Sequence, residues 1–355
     1  MSATGIVFLA LSVVMLGLGF YGASVDVVSA TGLAESIGQM KNFYFLLGGL
    51  ILFIVLYRLA FSKASLRVQH TMSTTIRYVI LIGVGVFMVY PLLWMINTSL
   101  RTDIELYLNM FAAPSALHFE NYSAVWDLIG VDVFIEGFGY VRYTIYNLLG
   151  NSVLIAVLLP IKGTLAGVIT AYIIAKYKFK GSGILVGINI FVMILPIVGS
   201  LPSQLKVYHF LGMYDNFAMQ ALLGASPFGF GLLIYIGMFK GVPNDYLEAA
   251  RIDGAGHFRT FLQIALPPVL PTVAVFYLLG VLGSWNDYQT PLLWLPSYPN
   301  LAYGMFQFQY DTAKYASTLP QVMAGFVIVS VPSVIFYFCN QKLITSKMMV
   351  GGLKG

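Results

Sequence analysis

Eight stretches of about twenty residues, nearly free of charge, dictate what this sequence can fold into, because a bilayer core roughly 30 Å thick is crossed by about 20 apolar helical residues. They run over residues 4–24, 42–60, 77–99, 147–175, 183–201, 217–239, 264–285 and 319–340. The chain as a whole is 59% hydrophobic and 9% charged, against about 25% charged for a soluble domain, so it cannot clothe itself in a water-soluble surface. The run at 217–239 is the least regular, since it contains Pro227 and several glycines. The first run resembles a signal peptide in its apolar stretch from Ala3 to Gly22 and in Val28-Ser29-Ala30, but it lacks a basic leader.

The net charge of +5 does not describe a nucleic-acid surface, because the basic residues sit between the apolar runs and read as topology signals. Arg58, Lys63, Arg67 and Arg77 follow the second run without an acid among them, which predicts a cytoplasmic linker. Asp103, Glu105, Glu120, Asp127, Asp132 and Glu136 outnumber Arg101 and Arg142 after the third, which predicts an external segment, with short helices near 121–126. Alternation then puts Lys176, Lys178 and Lys180 inside, Lys240, Arg251 and Arg259 inside, and Lys342, Lys347 and Lys354 inside. Both termini are expected in the cytoplasm. The single cysteine, Cys339, excludes an intrachain disulfide, and the four histidines have no metal-ligand spacing.

The segment from Val242 to Pro271 is the most informative. Asp245 and Glu248 have capping-box spacing, which predicts a helix starting at Tyr246 behind Pro243. Gly254 and Gly256 supply a left-handed or freely bent stop. A second helix is expected from His257, with Pro267, Pro268 and Pro271 marking its entry into the next run. Ala249, Ala250 and Ala255 keep one side of this hairpin small, as a knob that inserts into a partner's groove would need.

At these residues the chain resembles the permease subunits of bacterial ABC importers. The family pattern reads here Glu248-Ala249-Ala250, Asp253-Gly254 and Ile264-Ala265-Leu266-Pro267. The stretch from Pro91 to Leu100, the motif Trp285-Asn286-Asp287-Tyr288 with Pro291-Leu292, and the tail Gly351 to Gly355 resemble the carbohydrate branch, the maltose-type permeases. The resemblance implies an all-α polytopic protein of about eight transmembrane helices in a bacterial inner membrane. Residues 77–355 would form a six-span core carrying the coupling hairpin at 242–266. Residues 1–76 would add two spans and a basic cytoplasmic linker, a departure from the family pattern.

It also implies partners: a second permease, a dimer of cytoplasmic ABC ATPases and an extracytoplasmic solute-binding protein, with lipid around the spans. The chain has no Gly-x-x-x-x-Gly-Lys-[Ser/Thr] loop, so no cofactor is expected in it and ATP-Mg belongs to the ATPase subunit. The permease itself is non-catalytic. By resemblance, Glu248, Ala249, Ala250, Asp253 and Gly254 dock on the ATPase, Glu248 meeting a basic residue there, and the tail at Gly351 to Gly355 reaches the same interface.

Lys162 lies in mid-run between Pro160 and Gly163. A lysine at that depth costs a few kcal/mol and should face protein or a watery path. It either contacts an anionic or hydroxyl-rich solute or is paired with a carbonyl of an adjacent segment, and both readings stand at this point. Trp285, Asn286, Asp287 and Tyr288 are further candidates for the solute pathway, Asp287 either toward a sugar hydroxyl or simply at a solvated helix end; Trp94, Trp285, Tyr288 and Trp294 are of the type that stacks on sugar rings but that more often anchors a span at the interface. An ion-gradient transporter would need intramembrane acids for coupling, and the 14 acids fall in loops or at run ends. An enzyme would need a nucleophile, base and orienting group together, and none recurs. A non-sugar solute remains open.

Overall fold

The computed structural model describes residues 66–135, 137–177, 179–195, 199–223, 226–310 and 317–348. The first two apolar runs lie outside them. The chain divides into two compact units, Met1–Tyr90 and Pro91–Gly355. The described residues of the first belong to helix α1, Leu66–Ser99, which carries Pro91 inside it. Its apolar side chains, from Tyr78 through Phe87, are more than half exposed for the most part, an arrangement compatible with lipid and not with water.

The second unit is mainly helical. Short helices α2 (Asp103–Leu108) and α3 (Glu120–Leu128) follow α1, and then an antiparallel hairpin of β1 (Gly130–Ile135) and β2 (Gly139–Thr144). This hairpin corrects the expectation of an all-α chain. Val131 and Val133 alternate inward and are buried, Asp132 and Phe134 alternate outward, and Gly137 and Gly139 take the positive φ that closes the turn. Next come α4 (Ile145–Lys176), α5 (Ser182–Ile194), α6 (Leu201–Phe210), α7 (Phe217–Leu222), α8 (Phe230–Gly241), α9 (Asn244–Ile252) and α10 (His257–Thr260). A π turn at Phe261–Ala265 leads into α11 (Leu266–Trp285), followed by α12 (Gln289–Leu293), α13 (Leu301–Tyr310) and α14 (Leu319–Met348).

Among the described residues four helical stretches are long and apolar enough to cross a membrane: Arg77–Ser99, Ile145–Lys176, His257–Trp285 and Leu319–Thr345. Two shorter apolar helices, Ser182–Ile194 and Phe230–Gly241, accompany them. The run at 217–239 is therefore not one helix. Pro227 has no N–H to donate, and Gly229 takes φ +147, which no helix tolerates. The carboxamide of the fully buried Asn189 in α5 repairs that break: its Nδ2 donates to the Gly229 carbonyl at 3.3 Å and its Oδ1 accepts from the Gly229 N–H at 2.6 Å.

α4 is the axis of the unit, and it enters both apolar cores. Its first turns, with Ile145 and Leu148, pack with Val125, Ile129, Met305, Phe308 and Ala324. Its last turns, with Val168, Ala171 and Tyr172, pack with Leu232, Phe239, Phe261 and Val269. Between them α11 crosses closely, for a Cβ on Gly280 would stand 2.9 Å from Pro160 Cβ. Gly304 and Gly325 make similar approaches to Leu148 and Met305. Small residues at such crossings are expected where lipid tails, as apolar as leucine, leave close packing to hold helices together.

Replacing Asn189 by Leu should leave both backbone groups of Gly229 unpaired at a cost on the order of 1–3 kcal/mol. A lowered melting temperature in detergent, relative to a matched apolar substitution on the exposed face of α1, is the expected result.

Candidate functional site

The hairpin at 242–266 consists of α9, a turn, and α10 running through the π turn into α11. α9 begins at Asn244, earlier than the spacing predicts, with Pro243 as its N-cap and no side chain closing the cap. The capping box expected of Asp245 and Glu248 is absent for that reason: Asp245 already lies in the first turn, where a carboxylate favours the positive end of the helix dipole. The stop is as expected at Gly254, at φ +82, while Gly256 is extended and caps α10. The backbone N–H groups of Asp253, Gly254 and Ala255 donate to Ala249, Arg251 and Ala250 at 2.9–3.0 Å, which closes the turn tightly.

The π turn has a local cause. Pro267 and Pro268 lack N–H donors, and the Leu266 N–H reaches back to Phe261 instead, widening the helix before the prolines enter. The hairpin's second arm thereby becomes one continuous helix with the span that follows, His257–Trp285.

The five residues singled out here do not share one face. Glu248, Ala249, Asp253 and Gly254 are exposed, whereas Ala250 is buried beside Leu247 against the core, where only a small side chain lets α9 settle. Around the exposed acids stand Tyr246 at 62%, Ile252 at 87% and Phe258 at 74% exposure. The exposed side of the hairpin thus carries acids, bare apolar side chains and Arg251 together, a mixed surface that can pair with a partner's groove.

Lys162 in α4 donates to the backbone carbonyls of Gln220 and, at 3.2 Å, of Leu223. Both belong to the end of α7, so the ammonium sits where the helix dipole and unpaired carbonyls favour a cation. Gln220, 4% exposed, extends the joint by donating to Met213 and Trp294 carbonyls at 3.0 and 2.9 Å. Asp215, in left-handed backbone at φ 52, accepts from the Ser297 N–H and hydroxyl at 2.9 and 2.7 Å.

The Trp285 to Tyr288 motif is also structurally engaged. Trp285 donates to the Val329 carbonyl at 3.1 Å and Asn286 to Leu282 at 2.9 Å. Asp287 accepts from the backbone N–H groups of Gln289 and Thr290 at 2.8 and 3.1 Å, capping α12. Tyr288 stacks on Phe306 with centroids 4.6 Å apart and planes 9° from parallel. The structure thus brings Trp285 to Tyr288 together at one helix end and keeps Lys162 with a different group, the end of α7.

Sequence reasoning passed over Asn189, Gln220 and Arg101. Arg101 is 1% exposed, donating to Glu105, Asn109 and Met110 carbonyls at 2.6, 2.7 and 3.2 Å, and so ties down α2. Thr102 and Glu105 close a capping box on that helix. The Ser115 hydroxyl and the Thr102 backbone hold the Glu105 carboxyl below the usual carboxylate range. The available signal for Asn189 was a lone amide within an apolar run, the same kind of signal that exposed Lys162.

The fold and its hairpin define a helical membrane transport component. The chain belongs to the family of binding-protein-dependent transport system inner membrane components, whose model matches residues 163–350. It is 28% identical over 275 residues to the probable starch degradation products transport system permease protein of Thermoanaerobacterium thermosulfurigenes, covering 75% of this chain and 94% of that one. It is 27% identical over 286 residues to the diacetylchitobiose uptake system permease protein of Streptomyces coelicolor, covering 78% and 87%. A crystal structure of a bacterial ABC transporter involved in the import of the acidic polysaccharide alginate shares the fold, with a TM-score of 0.60 at 20% identity over 77% of this chain and 97% of that one.

Lys162→Met should free the two carbonyls at the end of α7 and lower the melting temperature, a loss on the order of 1–3 kcal/mol. Lys162→Arg, which keeps a donor there, should recover most of it. Equal melting temperatures for all three chains would contradict the joint.

Proposed function

We propose that this chain is a permease subunit of an ATP-driven importer of a sugar or oligosaccharide. The observation that carries this reading is the exposed hairpin: Glu248 and Ala249 on α9, and Asp253 and Gly254 in the turn after it, are exposed, while Leu247 and Ala250 of α9 are buried. Names of relatives that concern starch products and diacetylchitobiose support the sugar class.

In this reading residues 77–355 form a six-span core in the inner membrane, with α5 and α8 as its shorter spans, and residues 1–76 add two spans. Both termini and the hairpin face the cytoplasm, as the distribution of Lys and Arg indicates. A second permease completes the pathway, a dimer of ATPases binds ATP-Mg and drives it, and an extracytoplasmic binding protein delivers the solute to the segment between Arg101 and Arg142. Hydrolysis biases two conformations of the permease pair. Glu248 pairs with a basic side chain of the ATPase. At the outer end Tyr288, partly exposed, serves for sugar stacking, while Trp285, Asn286 and Asp287 there and Lys162 in mid-span shape the pathway through the backbone they hold.

Purification from detergent tests this directly. The intact chain should bring down a nucleotide-hydrolysing subunit, and Glu248→Lys should lose it while the permease itself stays folded. Absence of any ATPase with the intact chain would overturn the importer reading.

A further inference from the structure

Two consecutive residues at the end of α4 hold the two arms of the hairpin. Lys176 Nζ donates to the carbonyl of Val242, the residue that caps the C-terminal end of α8, and to Asn244 Oδ1 at 2.9 Å, on the first residue of α9. Its ammonium thereby meets the negative end of α8 as well as its own helix end, where a cation is favoured. Tyr177 OH lies 2.8 Å from His257 Nδ1, on the first residue of the second arm. These bonds join positions 66 to 80 residues apart in sequence.

Beneath them sits an aromatic cluster. Tyr172 packs edge-on against Tyr177 at 5.8 Å and Phe239 at 5.5 Å, and tilted against Phe261 at 4.8 Å, so one buried ring touches α8, the end of α4 and the second arm together. The cluster is held by ring packing, and the polar fastening to the two arms lies at Lys176 and Tyr177.

We propose that Lys176 and Tyr177 are positioning residues that lock the coupling hairpin to α4, so that a displacement of the hairpin is delivered to α4 as well as to α11. This rests on the importer reading above. α11 receives the motion covalently, being continuous with the second arm. α4 has no covalent route, since α5 to α8 intervene in sequence, and without the lock only the apolar packing of Leu247 and Phe261 would carry the motion to it. α4 is also the helix that enters both cores and carries Lys162 at the end of α7, so moving it shifts both ends of the unit.

The test uses the complete transporter reconstituted in proteoliposomes with its binding protein, reading ATP hydrolysed per solute imported. Lys176→Met and Tyr177→Phe should each raise that ratio about three- to tenfold, the scale of one lost hydrogen bond, with ATPase still assembled on the permease. Lys176→Arg, which keeps a donor at that place, should restore coupling. An unchanged ratio in Lys176→Met and Tyr177→Phe would overturn the lock. So would a failure of Lys176→Arg to restore the ratio, which would trace the effect to the bulk of the side chain and not to its hydrogen bonds. A wild-type chain that assembles no ATPase would instead overturn the importer reading, and the lock with it.

Discussion

Inside a bilayer a broken helix has no water to receive its freed N–H and C=O groups, so every departure from regular helix needs a partner from the protein. That constraint organises this chain. The break at Gly229 is closed by Asn189, the end of α7 by Lys162, and the start of α13 by Ser152, whose hydroxyl accepts from the Leu301 N–H at 2.8 Å. Each of these three polar side chains is spent on backbone, and none of the three meets a carboxylate. Such a scaffold can contain short and interrupted helices, and with them non-helical backbone at membrane depth, without an unpaired peptide group at those points.

The hairpin uses the opposite strategy. Its inner side is fixed by packing through Leu247, Ala250 and Phe261, and its outer side presents Glu248, Ala249 and Asp253 bare. A rigid knob with an exposed mixed face suits a partner that pushes, because a flexible one would absorb the displacement in its own turns. The widened turn before Pro267 makes the second arm and the following span one piece, and this gives the knob a mechanical output.

Much of this was legible in the sequence. The apolar runs gave the long helices at Arg77–Ser99, Ile145–Lys176, His257–Trp285 and Leu319–Thr345, and Gly254 with the prolines gave the outline of the hairpin. Composition alone did not separate α7 from α8: Pro227 and the glycines mark Phe217 to Phe239 as irregular, but the decisive events are a single φ at Gly229 and an amide 40 residues away. The β hairpin was hidden by its length: two strands of six residues inside an external segment read as loop. The partners of Lys162 and the fastening at Lys176 and Tyr177 join residues 58 to 80 positions apart, and no local pattern carries that information.

The exposed cysteine provides the most direct test of the central claim, that the outer face of α9 is where the energy-transducing subunit docks. With Cys339→Ser as background, a cysteine placed at the exposed Ala249 and another at the buried Ala250 are labelled with a short thiol-reactive photocrosslinker and irradiated in the assembled complex. The account predicts a crosslinked product between permease and ATPase from Ala249→Cys and little from Ala250→Cys. No ATPase adduct from Ala249→Cys, or an equal yield from a cysteine on the exposed face of α1, would contradict it.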